Sequence, residues 1–134
     1  MTELKDTALA LSRAIMALDW DRAAALLADD FVYVGDGRPP LDKAGYLGFM
    51  RGVLCAAMTE MDMTFTRVLA EGDLVAVEYT NAMTHTGPFM GLPATGKRVL
   101  ATGMFIRQVR DGKIRGEWQT TNALGLRAQL TSEP

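Results

Sequence analysis

The chain has 134 residues, 49% of them apolar and 22% charged, with a net charge of −2; that length buries roughly two thirds of the unfolded surface, enough for one core and one pocket. Mild acidity, with no run among the 14 Lys and Arg residues, excludes a nucleic-acid partner, because phosphate binding needs clustered positive charge. The lone Cys55 excludes an internal disulfide and a Cys-based zinc site, the charged start Met1-Thr2-Glu3-Leu4-Lys5-Asp6 is unlike a signal peptide, and no apolar run reaches membrane-span length, so a cytoplasmic chain is expected.

Leu4, Ala8, Leu11, Ile15 and Leu18 recur at four- and three-residue spacings behind a Thr2 cap, which predicts a first helix with one apolar stripe. Asp19 caps a short second helix whose Trp20, Ala23, Ala24 and Leu27 face inward, and Asp29-Asp30 ends it. Phe31 to Val34 reads as a short strand. The segment Gly35-Asp36-Gly37-Arg38-Pro39-Pro40 continues no regular element, and Asp42 starts a third helix with Tyr46, Phe49, Met50, Val53 and Ala57 on one face. Gly45, Gly48 and Gly52 fall on that helix, where each costs about 1 kcal/mol relative to alanine. Close approach of another element, in preference to room for a ligand, is the expected reason.

From residue 62 the period becomes two, and Asp62 to Ala70, Leu74 to Thr84, Lys97 to Val109 and Lys113 to Thr121 read as strands. Glu71-Gly72-Asp73 and Arg110-Asp111-Gly112 are tight hairpins, whereas Thr86 to Gly96 is a longer Gly/Pro loop expected to border a pocket entrance with Phe89 and Met90 as an apolar lid. A last short helix holds Leu124, Leu126 and Leu130. Helices segregated from a twisted antiparallel sheet make an α+β architecture, here a cone-shaped α+β barrel with three N-terminal helices on a curved sheet, over a single domain of residues 1–134. Apolar residues on both faces of the strands predict a homodimer through the convex sheet face.

The run His85-Thr86-Gly87-Pro88-Phe89-Met90-Gly91-Leu92-Pro93-Ala94-Thr95-Gly96-Lys97-Arg98 precedes Arg110-Asp111-Gly112-Lys113-Ile114, Glu117-Trp118 and Leu124-Gly125-Leu126. In order and spacing these segments resemble the SnoaL-like polyketide cyclases, within the nuclear transport factor 2-like and ketosteroid isomerase-like fold. The resemblance implies a conical pocket, a homodimer, and no metal or organic cofactor. It also implies an intramolecular aldol closure in which an acid on the last strand is assisted by a histidine on the preceding strand. Counted from the Asp111-Gly112-Lys113-Ile114 hairpin, the acid position is Gln119 and the histidine position is Phe105. Neither side chain exchanges a proton near neutral pH, so that mechanism does not carry over by these two positions.

What remains is a pocket expected to be lined by Ile15, Tyr33, Tyr46, Phe49, Met50, Phe89, Met90, Phe105 and Gln119, taking a small apolar molecule. A three-residue Arg110-Asp111-Gly112 loop sets Phe105 opposite Glu117 with Gln119 on the same surface, whereas a two-residue Asp-Gly turn sets Phe105 beside Trp118; the resemblance favours the first. Candidates for proton transfer are Glu117, the sole histidine His85, and Asp36, with Gln119 orienting a carbonyl. His85 reads more readily as a structural histidine, Glu117 with Arg107 as an ion pair, and Asp36 equally as a turn former. Nine methionines read as core filler or as a plastic pocket lining, and Cys55 as an inert thiol. The preferred function is cofactor-independent cyclase, isomerase or hydrolase chemistry on a polyketide, polycyclic or isoprenoid-like substrate; the alternatives are a non-catalytic binder and a dimerising accessory subunit.

Overall fold

The structure, a computed structural model, describes residues 2–132. Helix α1 (Thr2–Met16) and helix α2 (Trp20–Leu26) lead into strand β1 (Leu27–Gly35). A short β2 (Leu41–Asp42) and helix α3 (Lys43–Phe49) follow, continued by a π-helical turn (Met50–Leu54) and a last α-turn, α4 (Cys55–Ala57). Long strands β3 (Met58–Glu71), β4 (Leu74–His85), β5 (Arg98–Arg110) and β6 (Lys113–Thr121) precede helix α5 (Ala123–Thr131).

The six strands form one sheet in the order β2-β1-β6-β5-β4-β3. The sheet is curled and unclosed, since the edge strands β2 and β3 do not pair, and with the helices it makes the expected α+β architecture of helices on a curved sheet. All pairings are antiparallel except β1 with β6, which is parallel. Ala8, Leu11, Ala14 and Ile15 of α1 pack with Val75, Val77, Phe105, Val109 and Ile114 in one cluster, while Leu126 and Leu130 of α5 close a second with Met58, Met83, Val99 and Ala101.

Three local devices shift the pattern read from sequence. Helix α1 ends at Met16 in a Schellman motif: Leu18 has φ 58°, Asp19 N–H donates to Ala14 O at 2.8 Å, and Leu18 N–H donates to Ile15 O at 3.0 Å. Leu18 is thereby turned outward and is 59% exposed. Asp19 caps α2 through its hydrogen bond from Arg22 N–H, but Leu27 already belongs to β1, and Asp29 and Asp30 lie within that strand. In the third helix the π-turn inserts one residue into the helical period, so Leu54 takes the inward place expected of Val53, which is exposed. A Cβ at Gly48 or Gly52 would meet no atom within 4 Å, so close packing does not account for those two glycines.

The β5–β6 register also differs from the expected one. Asp111 (φ 55°) and Gly112 (φ 74°) make a two-residue turn that pairs Arg110 with Lys113. Continued without interruption, that ladder would set Phe105 opposite Trp118. A bulge intervenes: Val109 faces Ile114, Gln108 faces Gly116, and Arg115 is the extra residue. The slip of one residue restores the parity of the faces, so Phe105 faces Gln119 and Arg107 faces Glu117, all on the concave surface.

Candidate active site

The concave face, α1, α3 and the loop after β4 enclose a cavity of about 240 Å³. Ile15, Tyr33, Tyr46, Phe49, Met50, Phe89, Met90, Phe105, Glu117 and Gln119 all line it, joined by Ser12, Arg107, Asn81, Thr121 and the mouth residues Asp36 and Arg38. Five thioethers, those of Met16, Met50, Met63, Met83 and Met90, supply much of its apolar wall. Phe89 and Leu92 exchange two backbone hydrogen bonds across Met90-Gly91, and Arg127 of α5 donates to Met90 O at 3.0 Å, which anchors the loop tip over the cavity.

At the centre Gln119 is held by two tyrosines. Tyr33 donates its hydroxyl proton to Gln119 Oε1 at 3.2 Å, and Gln119 Nε2 donates to the Tyr79 hydroxyl at 2.7 Å. Tyr79 then has its own proton for Thr121 Oγ1 at 3.4 Å. The second Nε2 proton has only Thr121 Oγ1, also at 3.4 Å, and is the spare donor of the amide. Glycines make these contacts sterically feasible, since a Cβ at Gly35 would lie 2.5 Å from the Tyr33 hydroxyl and one at Gly103 would lie 2.7 Å from that of Tyr79.

Toward α1 lies a charged group. Arg107 Nε donates to Glu117 Oε1 at 2.6 Å, its Nη1 donates to Ala8 O and to Ser12 Oγ at 2.8 Å, and its guanidinium carbon sits 3.9 Å from the centroid of the Phe105 ring. Tyr46 donates to the same Glu117 oxygen at 3.4 Å. Both charges are at least 97% buried, and both line the cavity. Burial first, and then the Glu117 charge, push the Tyr33 and Tyr46 hydroxyls well above the usual phenol range. Burial raises Tyr79 too, against the hydrogen bonds of Thr121 and Gln119. All three are therefore neutral donors at physiological pH and none is a base.

His85 is not part of this surface. It ends the inner row of β4 under the loop, where Thr95 N–H donates to Nδ1 at 3.2 Å and Thr95 Oγ1 lies at 2.9 Å, and no His85 atom borders the cavity. Asp36 has φ 51° and accepts from Thr121 N–H at 2.8 Å, so it closes the turn after β1 while standing at the mouth. Cys55 is half-buried, and burial raises its thiol. Among the described residues no three His, Cys, Asp or Glu side chains converge as metal ligands would, and no helix is long and apolar enough to cross a membrane. Sequence reasoning passed over Asn81 and Ser12. Asn81 had a signal: it is the one amide in the inner row Val75, Val77, Tyr79, Asn81, Met83.

The sequence profile described as SnoaL-like polyketide cyclase matches residues 5–130. The chain belongs to that family. Among solved structures it is similar to IdmH, a candidate polyketide cyclase from Streptomyces antibioticus, at 30% identity over 96% of this chain and 99% of that one, with a TM-score of 0.85. AclR, a candidate hydroxylase from Streptomyces galilaeus, is 26% identical over 100% of this chain and 86% of that one, with a TM-score of 0.87. An LEH-like epoxide hydrolase from M. tuberculosis shares the fold at 21% identity over 97% and 91% of the two chains and a TM-score of 0.77. No curated protein matches the chain. Family membership leaves chemistry open, because relatives of one fold carry different reactions in their sites. Here Phe105 and Gln119 stand at the two positions where the resemblance puts a histidine and an acid.

Proposed function

We propose that the chain is a cofactor-independent enzyme of the cyclase or isomerase type, taking an apolar, polyketide- or isoprenoid-like substrate into the cavity and moving a proton beside a carbonyl. One observation carries the reading. Glu117 lines the cavity, its Oε1 is taken by Arg107 and Tyr46, and its Oε2 is bonded to no protein group among the described residues. The acid lost at Gln119 is thus replaced by one two residues earlier on the same face, about 7 Å along the strand.

In this mechanism Glu117 Oε2 accepts a proton from the carbon next to a substrate carbonyl. The C–H electron pair forms the enolate C=C bond and the carbonyl π pair moves to oxygen, which takes the spare Nε2 proton of Gln119 as a hydrogen bond. Attack of the enolate carbon on a second carbonyl closes a ring, the π pair of that carbonyl moving to its oxygen, which takes back the proton held by Glu117; return of the same proton to a conjugated carbon instead gives an isomer. Exchange of the α-protons of 2-tetralone in heavy water, followed by NMR, tests it. Wild type should accelerate exchange, Glu117→Gln should lose about a hundredfold or more, and Asp36→Asn should keep the rate. Binding of 2-tetralone without acceleration would favour the second reading, a non-catalytic binder, which the clamping of Gln119 by Tyr33 and Tyr79 supports.

The chain is also proposed to pair with a second copy through its convex face. Val34, Trp118, Ile106, Ala76 and Leu69 are register neighbours across five strands. Four of them, Val34, Trp118, Ile106 and Leu69, are 39–68% exposed, and Met104 beside them is 59% exposed. Such a contiguous apolar row is the kind of surface that a self-complementary interface covers.

A further inference from the structure

We propose that Asn81 is a second polar recognition point of the cavity, reading a hydroxyl or N–H donor on the ligand at a distance from the Gln119 amide. The proposal rests on the cavity being a ligand site, as inferred above. Asn81 is 4% exposed and lines the cavity, and its Oδ1 is shut off from solvent without a hydrogen-bond partner among the described residues. His85 Nε2 is likewise shut off and unpartnered, but it lies away from the cavity.

The orientation of the amide follows from its neighbours. Asn81 Nδ2 lies 3.9 Å from Met16 Sδ and 3.7 Å from Met61 Sδ. A thioether sulfur only accepts, so the atom facing the sulfurs is the NH2 group and the orphan is the carbonyl oxygen, which only accepts. Its partner must therefore bring a proton. Nor is the side chain free to leave, since Asn81 sits in the middle of the sheet, paired through its backbone with Met63 on one side and Ala101 on the other.

Fold stability does not explain the residue. Its neighbours in the inner row, Tyr79 and Met83, and its cross-strand partners are apolar or largely so, and an isosteric apolar side chain would leave nothing unpaired. A buried polar group that a core would discard is the mark of a residue kept for binding. The ligand class then has two polar ends on an apolar frame: a carbonyl for the Gln119 Nε2 proton and a hydroxyl or N–H for Asn81 Oδ1. Gln119 and Asn81 stand on β6 and β4, two strands apart and in different register rows, so one functional group cannot serve both.

The test compares 6-hydroxy-2-tetralone with 6-methyl-2-tetralone, which differ by a hydroxyl against a methyl of similar size, on wild type and Asn81→Leu. Calorimetry should show wild type preferring the hydroxyl compound by about tenfold, the usual yield of one buried hydrogen bond, and Asn81→Leu should erase that preference. Thermal melting of Asn81→Leu without ligand should be unchanged or higher, because an orphan polar group has gone. An equal preference in both proteins, or none in wild type, overturns the role of Asn81 while leaving the cavity as a ligand site. A lowered melting temperature overturns it as well, marking Asn81 as structural. Failure of wild type to bind either compound overturns the ligand site itself and this inference with it.

Discussion

Tyr33, Tyr46 and Tyr79 are all the tyrosines of the chain, and all three line the cavity. Their hydroxyls are raised above the ordinary value of 10.0, chiefly by burial. The folded state therefore keeps them neutral where the unfolded chain ionises them. Their contribution to stability is whole below pH 10 and is lost as pH rises through the folded values. Ultraviolet titration of phenolate absorbance should show no tyrosine ionising near pH 10 in the folded protein, and all three should appear together with unfolding. Independent titration of one tyrosine at its ordinary value would mean that its hydroxyl is open to water. At the same scale, removing one partner of the buried Arg107–Glu117 pair should cost more than removing one partner of a surface pair. Arg107→Met leaves Glu117 buried without its partner and should lower stability by about 3–5 kcal/mol, whereas Arg115→Ala, whose partner Asp30 is exposed, should change it little. Urea denaturation compares the two, and equal losses would show that water reaches the inner pair.

Among the elements, those with long periodic patterns were legible in the sequence. The stripe of Ala8, Leu11 and Ile15 marked α1, the alternation of Val75, Val77 and Tyr79 marked β4, and the family resemblance, choosing between two hairpin registers, put Phe105, Glu117 and Gln119 on one surface. What escaped were insertions of a single residue: the π-turn that exchanges Val53 for Leu54, and the Arg115 bulge that lets a two-residue turn reach the same face as a three-residue loop. Neither changes composition; at the π-turn Val53 and Leu54 are both apolar, and on β5 Met104 and Ile106 are as apolar as Phe105 between them, so periodicity has no contrast to register either shift. Asn81 escaped because one amide in an apolar row looks like noise until its partners are counted. Strand β5 carries a related device in Gly103, where a Cβ would lie 2.6 Å from Thr120 O and 2.7 Å from the Tyr79 hydroxyl. Gly103→Ala should push Tyr79 off Gln119 and weaken 2-tetralone binding about tenfold, the loss expected when a site donor is left misaligned. Unchanged binding would show that the Tyr79 contact does not set the Gln119 orientation.

For the molecule as a whole, the curl of the sheet separates two surfaces: a concave side with a cavity of about 240 Å³, and a convex side with the exposed row from Val34 to Leu69. If the convex row is covered by a second copy, light scattering should give twice the 14.6 kDa chain mass, and Trp118→Lys with Ile106→Glu should return the single mass while leaving 2-tetralone affinity intact. A wild-type mass near 14.6 kDa would leave the row uncovered. A crystal structure grown with saturating 2-tetralone addresses both surfaces at once. The expected result is the ketone inside the cavity, its oxygen within hydrogen-bond distance of Gln119 Nε2 and an α-carbon against Glu117 Oε2. An empty cavity at saturation, or 2-tetralone seated on the convex face beside Trp118, would contradict the division of the sheet into a ligand side and a partner side.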